Sequence, residues 1–157
     1  MCEEILNEVY MISSDLHEIE KVKQFLVTKK EDGKAVKIDF SKVIPMPNEI
    51  LESKDEDKMV KWNYINLGCN WVHEEGWEDK VLNSLAFVTW NGNGLLIIKK
   101  LSRKFPMVLF LLEYGLIESD ETPNMVSIKN GKLHGFYHKE VEIDDKELKS
   151  IFPSGIC

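Results

Sequence analysis

The residues of this chain able to do chemistry are concentrated between Trp62 and Phe105, a stretch that holds all four tryptophans. Within it, Cys69 and His73 are the nearest approach to a nucleophile and its base. A thiol attacks only when a neighbouring base takes its proton, and that base must in turn be oriented by a third group. No third group is identifiable, and a cysteine beside Gly68, with Trp62 and Trp71 close by, has the profile of a small packing residue. His73-Glu74-Glu75 has metal-capable atoms, but three consecutive residues on a turn do not converge on one ion. His134 and His138 fall on a strand, where even spacing points them to one side without a third ligand. Asn91-Gly92-Asn93-Gly94 precedes a helix, as phosphate-cradling loops do. It lacks both the Lys-Ser/Thr of a P-loop and the dinucleotide pattern, which leaves a plain strand-to-helix turn. No catalytic residue, metal ligand or cofactor is therefore assigned, and a small enzyme using Cys69 and His73 is the least favoured class.

Binding is the better use of this stretch. The Asn66 to Trp71 segment and the Thr89 to Gly94 turn carry more Asn, Gly and Trp than a strand or helix needs, as loops that place polar groups on a rigid scaffold do. They are expected to be neighbours, with Asn66, Gly68, Cys69, Asn70, Trp71, Thr89, Trp90 and Asn91 as the candidate binding surface. Gly68 is expected where a side chain does not fit. A second use of the aromatics is a stacking platform for single-stranded nucleic acid, built from Trp62, Tyr64, Trp71, Trp77 and Trp90. Lys and Arg are not interleaved with them, the RNP aromatic pattern is missing, and the net charge of -7 opposes attraction to phosphate. A protein partner of unknown identity is preferred, with nucleic acid as the alternative. The sequence does not decide an oligomeric state.

At 157 residues the chain fits a single domain, 1–157, with a real core. No segment has the roughly 20 apolar residues that a membrane helix needs. The acidic start, Met1-Cys2-Glu3-Glu4, lacks the features of a secretory signal, so the cytoplasm is the expected compartment. Cys2, Cys69 and Cys157 are odd in number and scattered, and are read as reduced thiols.

Around the central stretch the periodicity predicts the scaffold. Glu4 to Ile12 reads as a strand and Asp15 to Thr28 as an amphipathic helix with Leu16, Ile19, Val22, Phe25 and Leu26 on one stripe. Ala35 to Phe40 alternates with period two and ends at Pro45 and Pro47. Asn48 starts a helical turn, Ser53 to Met59 is open between helix and loop, and Trp62 to Trp77 is read as a helix end followed by an irregular or short extended segment that leads into a polar turn. Val81 to Trp90 is a central strand, Leu95 to Lys104 a second helix, and Met107 to Tyr114 a buried strand. Asn130-Gly131 is a strong hairpin signal, and a terminal helix is placed near Asp144 to Ile151. This order predicts an α+β fold: a ferredoxin-like sandwich, with two helices on one face of an antiparallel sheet plus a C-terminal hairpin.

Four segments carry a family resemblance: Asp39-Phe40-Ser41-Lys42-Val43-Ile44-Pro45-Met46-Pro47-Asn48-Glu49, Asn66-x-Gly68-x-x-Trp71, Phe87-x-Thr89, and Leu101-Ser102-x-x-Phe105-Pro106. Together, over roughly residues 35 to 135, they resemble the YubB-type ferredoxin-like domains of bacterial, plasmid and phage proteins. The resemblance implies the same fold and a mobile-element context, and no activity or catalytic residue. The chain departs from the family pattern at Leu67, Cys69 and Asn70, where Trp, Thr and Lys are usual. It departs again over Trp90 to Gly94, where the family has Ala-Trp-Ser-Pro-Pro after the threonine.

Overall fold

Alternation in β1 (Glu4–Ile12) sets the architecture, because its odd-numbered residues Ile5, Asn7, Val9 and Met11 are buried and its even-numbered ones are not. A strand with this pattern has one face on a core and the other open. The computed structural model describes residues 2–29, 35–138 and 141–142. Within them β1 is flanked by β5 (Ser84–Trp90) and β6 (Leu109–Leu116), both antiparallel to it. Leu85, Phe87 and Thr89 of β5 and Phe110, Leu112 and Tyr114 of β6 extend the buried face.

Two helices close that face. α1 (Leu16–Leu26) starts at Asp15, whose carboxylate accepts the His17 amide at 2.9 Å, and it buries Ile19, Val22 and Leu26. α4 (Leu95–Lys104) buries Leu95, Ile97, Ile98 and Leu101. The two stripes join the sheet residues in one hydrophobic core. Both helices thus lie on the same face, and their C-terminal ends meet through Phe25 and Phe105, whose ring centroids are 5.6 Å apart.

The α+β class and the antiparallel sheet agree with expectation, but the sheet is larger. Its order is β2-β3-β4-β5-β1-β6-β7-β8-β9, where β2 is Val27–Lys29, β3 Ala35–Ile38, β4 Trp71–Asp79, β7 Asn124–Lys129, β8 Lys132–His138 and β9 Val141–Glu142. Among the described residues four α-helices are present rather than two. α2 (Asn48–Ser53) is followed by α3 (Glu56–Leu67), whose first amides are capped by the Asp55 carboxylate. That cap resolves Ser53 to Met59 as the junction of two helices.

Two expectations need correction and one is extended. Val72 to Trp77, expected as an irregular or short extended segment leading into a turn, is part of a nine-residue strand. Its polar sequence reflects a strand outside the helix-covered core, with an irregular register between Val72 and Gly76 where His73, Glu74 and Glu75 are exposed. Met107 to Tyr114 is apolar except for Glu113, yet only alternate residues of β6 are buried, because its second face has no helix over it. The reduced state expected of the cysteines holds for Cys69, a free thiol, but not for Cys2, which is disulfide-bonded, since sequence spacing does not report which thiols meet in space. Cys157 and the helix expected near Asp144 to Ile151 lie outside the described residues. The hairpin is as expected: Asn130 and Gly131 join β7 to β8 with φ of 49° and 72°, the signs a type I′ turn requires.

A one-sided core makes a stability prediction. Ile98→Ala, beneath the helices, is expected to destabilise by about 2–5 kcal/mol. Leu6→Ala, on the open face, is expected to change stability by less than about 1 kcal/mol. Urea unfolding of the two variants measures both.

Candidate functional site

The two predicted loops do meet. After α3, Gly68 adopts the left-handed conformation (φ 76°) that ends the helix, and the chain turns through Cys69 and Asn70 into β4. The Asn70 amide donates to the Trp90 carbonyl at 2.8 Å, and Trp71 lies directly opposite Trp90 in the sheet. Gly92 (φ 152°) sits against the Gly68 turn so closely that a Cβ there would collide with the Gly68 carbonyl oxygen and lie 2.9 Å from Cys69 Cα. Two glycines therefore let these backbones touch, as expected of Gly68.

The contents of the junction are structural. Asn7, fully buried on β1, donates through Nδ2 to Thr89 Oγ1 (2.9 Å) and to the Ile5 and Phe87 carbonyls, and its Oδ1 accepts the Gly94 amide at 2.7 Å. Thr89 Oγ1 donates to the Gly92 carbonyl, and Asn93 Oδ1 accepts the Leu95 amide at 2.9 Å. The Gly94 and Leu95 amides at the start of α4 are thereby satisfied from within, and Asn91, Gly92, Asn93 and Gly94 are all buried. This loop holds no open cradle for phosphate. Asn91 exchanges hydrogen bonds with the Glu3 backbone, its amide donating at 2.9 Å and its Oδ1 accepting at 2.8 Å, which pins the start of β1. Asn66 Nδ2 donates to the Trp62 carbonyl, one turn back in α3.

Asn70 is the exception. Its backbone is held by Trp90 and by Asn63, whose Nδ2 donates to the Asn70 carbonyl at 2.8 Å, yet neither side-chain amide atom has a partner although the residue is 1% exposed. The Trp90 indole Nε1 is likewise buried and unpartnered.

Cys69 does not suit catalysis. It is completely buried, and burial pushes its thiol up to about 12, which leaves almost no thiolate at neutral pH. His73 instead packs its ring against Trp90, centroids 5.7 Å apart. Among the described residues no three His, Cys, Asp or Glu side chains are grouped to hold a metal ion. No described helix is long and apolar enough to cross a membrane.

Of the candidate residues, Trp71 and Trp90 reach outside the packed junction. They stand on the sheet face that α1 and α4 do not cover, and Trp77 of β4 joins them there, half exposed opposite Ala86. Trp62 and Tyr64 belong to α3, so the five aromatics do not form one platform. Trp62 lines a cavity of about 190 Å³ with Phe40, Ile44, Met46, Leu67 and Trp71. Sequence reasoning missed the open face because its residues alternate with core residues: Leu6 and Ile12 on β1, Val88 on β5, and Leu111 on β6 all sit in runs that read as buried. It also missed Asn7, a lone polar residue in an apolar run.

No protein family, curated protein or solved structure matches this chain.

Two measurements check this account of the junction. Asn7→Leu strands the Gly94 amide and the Thr89 hydroxyl and is expected to destabilise by about 1–3 kcal/mol, whereas Asn70→Leu removes an unpartnered amide and is expected to be neutral or stabilising. Urea unfolding should give the two substitutions opposite or clearly unequal effects. In a Cys2→Ser, Cys157→Ser background, Cys69 is expected to resist a thiol reagent at pH 8 and to react once the chain is unfolded.

Proposed function

We propose that this protein is a non-catalytic protein-interaction domain whose docking surface is the sheet face left bare by its helices. The observation that carries the reading is the exposure of Leu6, Ile12, Trp71 and Trp77 on that face, each between 39% and 50%, in a chain whose opposite face has a complete core. Single exposed apolar side chains are ordinary, but several on one uncovered sheet face mark an interaction site. Exposed tryptophan is also the side chain most enriched where binding energy concentrates.

Charge favours protein over nucleic acid as the partner. Glu74 and Glu75 stand on β4 between Trp71 and Trp77, and Glu4 is opposite Trp90 on β1. Lys37, the cation nearest to this group in the register, is engaged with Glu74 at 3.3 Å. A nucleic-acid surface would need free cations at these positions.

The same reading places the chain among ferredoxin-like domains, elaborated at both edges. Its support is the unit β1-α1-β4-β5-α4-β6, whose strands stand in the order β4-β5-β1-β6, with both helices on one side. The YubB-type family, with its mobile-element context, is part of the proposal. Its support is that the Asp39 to Met46 segment and the Leu67 to Trp71 turn line one cavity.

The test compares capture from the native host by the wild-type protein and by a Leu6→Ser, Trp77→Ser variant with an unchanged melting temperature. The expected result is a protein partner that crosslinks to the sheet face and is lost in the variant. Capture that the variant retains would move the site elsewhere, and capture abolished by nuclease would replace this reading with the nucleic-acid one.

A further inference from the structure

At the middle of the bare face two carboxylates oppose each other. Glu8 on β1 and Glu113 on β6 are directly paired in the antiparallel register, flanked by Ala86 on β5 and Met125 on β7. Like charges in such a pair repel, and neither flanking residue offsets them. Burial and, after it, the neighbouring Glu8 both push the Glu113 carboxyl up from its ordinary value. Glu8 accepts a hydrogen bond from Ser84 Oγ at 3.2 Å, and the adjacent Tyr10 hydroxyl is raised by burial and then by Glu8, Glu113 and Asp79. Beside the pair lies a hollow of about 230 Å³, with Leu6, Leu116 and Pro123 as apolar walls and Glu121 as a third carboxylate.

Among the described residues, no cation stands at the positions beside this pair. An apolar surface centred on unneutralised carboxylates is complementary to an apolar surface centred on a cation. The form of the occupant follows from the backbone. The amides and carbonyls of β1, β5 and β6 are used laterally by their neighbours in the sheet, so an added strand has nothing to pair with on the face. A helix needs only side-chain packing, and helices are what cover the opposite face. A second copy of this chain docked about a two-fold axis through the pair would set Glu8 and Glu113 against their own equivalents.

We infer that this face receives an amphipathic helix of a partner protein whose apolar stripe carries a Lys or Arg at the Glu8–Glu113 pair. The inference rests on the proposed docking face and specifies the chemistry of what docks there.

The test titrates the full chain with a helical peptide of Leu, Ala and Lys, in which one Lys lies within the Leu stripe, and with its Glu-for-Lys counterpart. Binding is read by Trp fluorescence and by NMR shifts of β1 and β6. The Lys peptide is expected to bind to this face and the Glu peptide not to. Glu8→Gln with Glu113→Gln is expected to weaken the Lys peptide by roughly tenfold, the scale of losing two half-buried charge contacts, while leaving the fold as stable or more so. Equal binding of the two peptides, or Lys-peptide binding unchanged in the double variant, would overturn the inference and leave the docking face standing. Self-association through this face in ultracentrifugation would overturn it in favour of a second copy. If the Lys peptide binds elsewhere, or not at all, the inference also fails. Host-partner capture with the Leu6→Ser, Trp77→Ser variant then decides separately whether the face docks anything.

Discussion

The Asn7 side chain is the constraint on which the centre of the molecule depends. A carboxamide buried in a sheet is tolerable only if its donor and acceptor are used, and here it joins elements from three parts of the chain. Nδ2 holds β5 through Thr89 and Phe87, while Oδ1 holds the Gly94 amide immediately before α4. The start of α4 is fixed over the central strand pair, and the stripe of Leu95, Ile98 and Leu101 then falls on the sheet. A leucine at position 7 would fit the apolar pattern better and would leave the helix start unanchored.

From that anchor the neighbouring loops follow. With Gly94 tied to Asn7 and Thr89 tied to Gly92, the loop between β5 and α4 has one path, which runs into the turn that ends α3. Gly68 and Gly92 permit the contact, Asn91 extends it to the start of β1, and Asn70 joins β4 to β5. Residues that look like a binding loop in sequence are thereby spent on backbone amides and carbonyls. The same chemistry that suits Asn and Gly to ligand loops suits them to crowded turns, and only burial separates the two uses.

The closing of one face leaves the other as the place for function. α1 and α4 cover the core side, and the edge strands widen the bare side. Its apolar residues are arranged around Glu8 and Glu113, an arrangement that stability alone does not call for, since like charges placed opposite each other raise the free energy of the folded state. The cavity beside Trp62 and Trp71 opens at the β3–β4 side of the same domain.

The sequence by itself determined the elements whose signal is local. The strand at Glu4 to Ile12, the period-two alternation of β3, the stripes of α1 and α4, the Asn130-Gly131 turn, the left-handed Gly68 and the α+β class were all legible, because each depends on side-chain spacing or on allowed φ within a few residues. Tertiary structure decided the rest. It made a strand of polar residues 72 to 77, whose pairing with β5 and β3 comes from distant chain segments. It turned the Asn-rich loops inward, since the partners of Asn7 on Thr89 and Gly94 lie more than 80 residues away. It also divided runs such as Leu109 to Leu112 between a packed face and a bare one, a division set by where the helices dock and not by hydrophobicity.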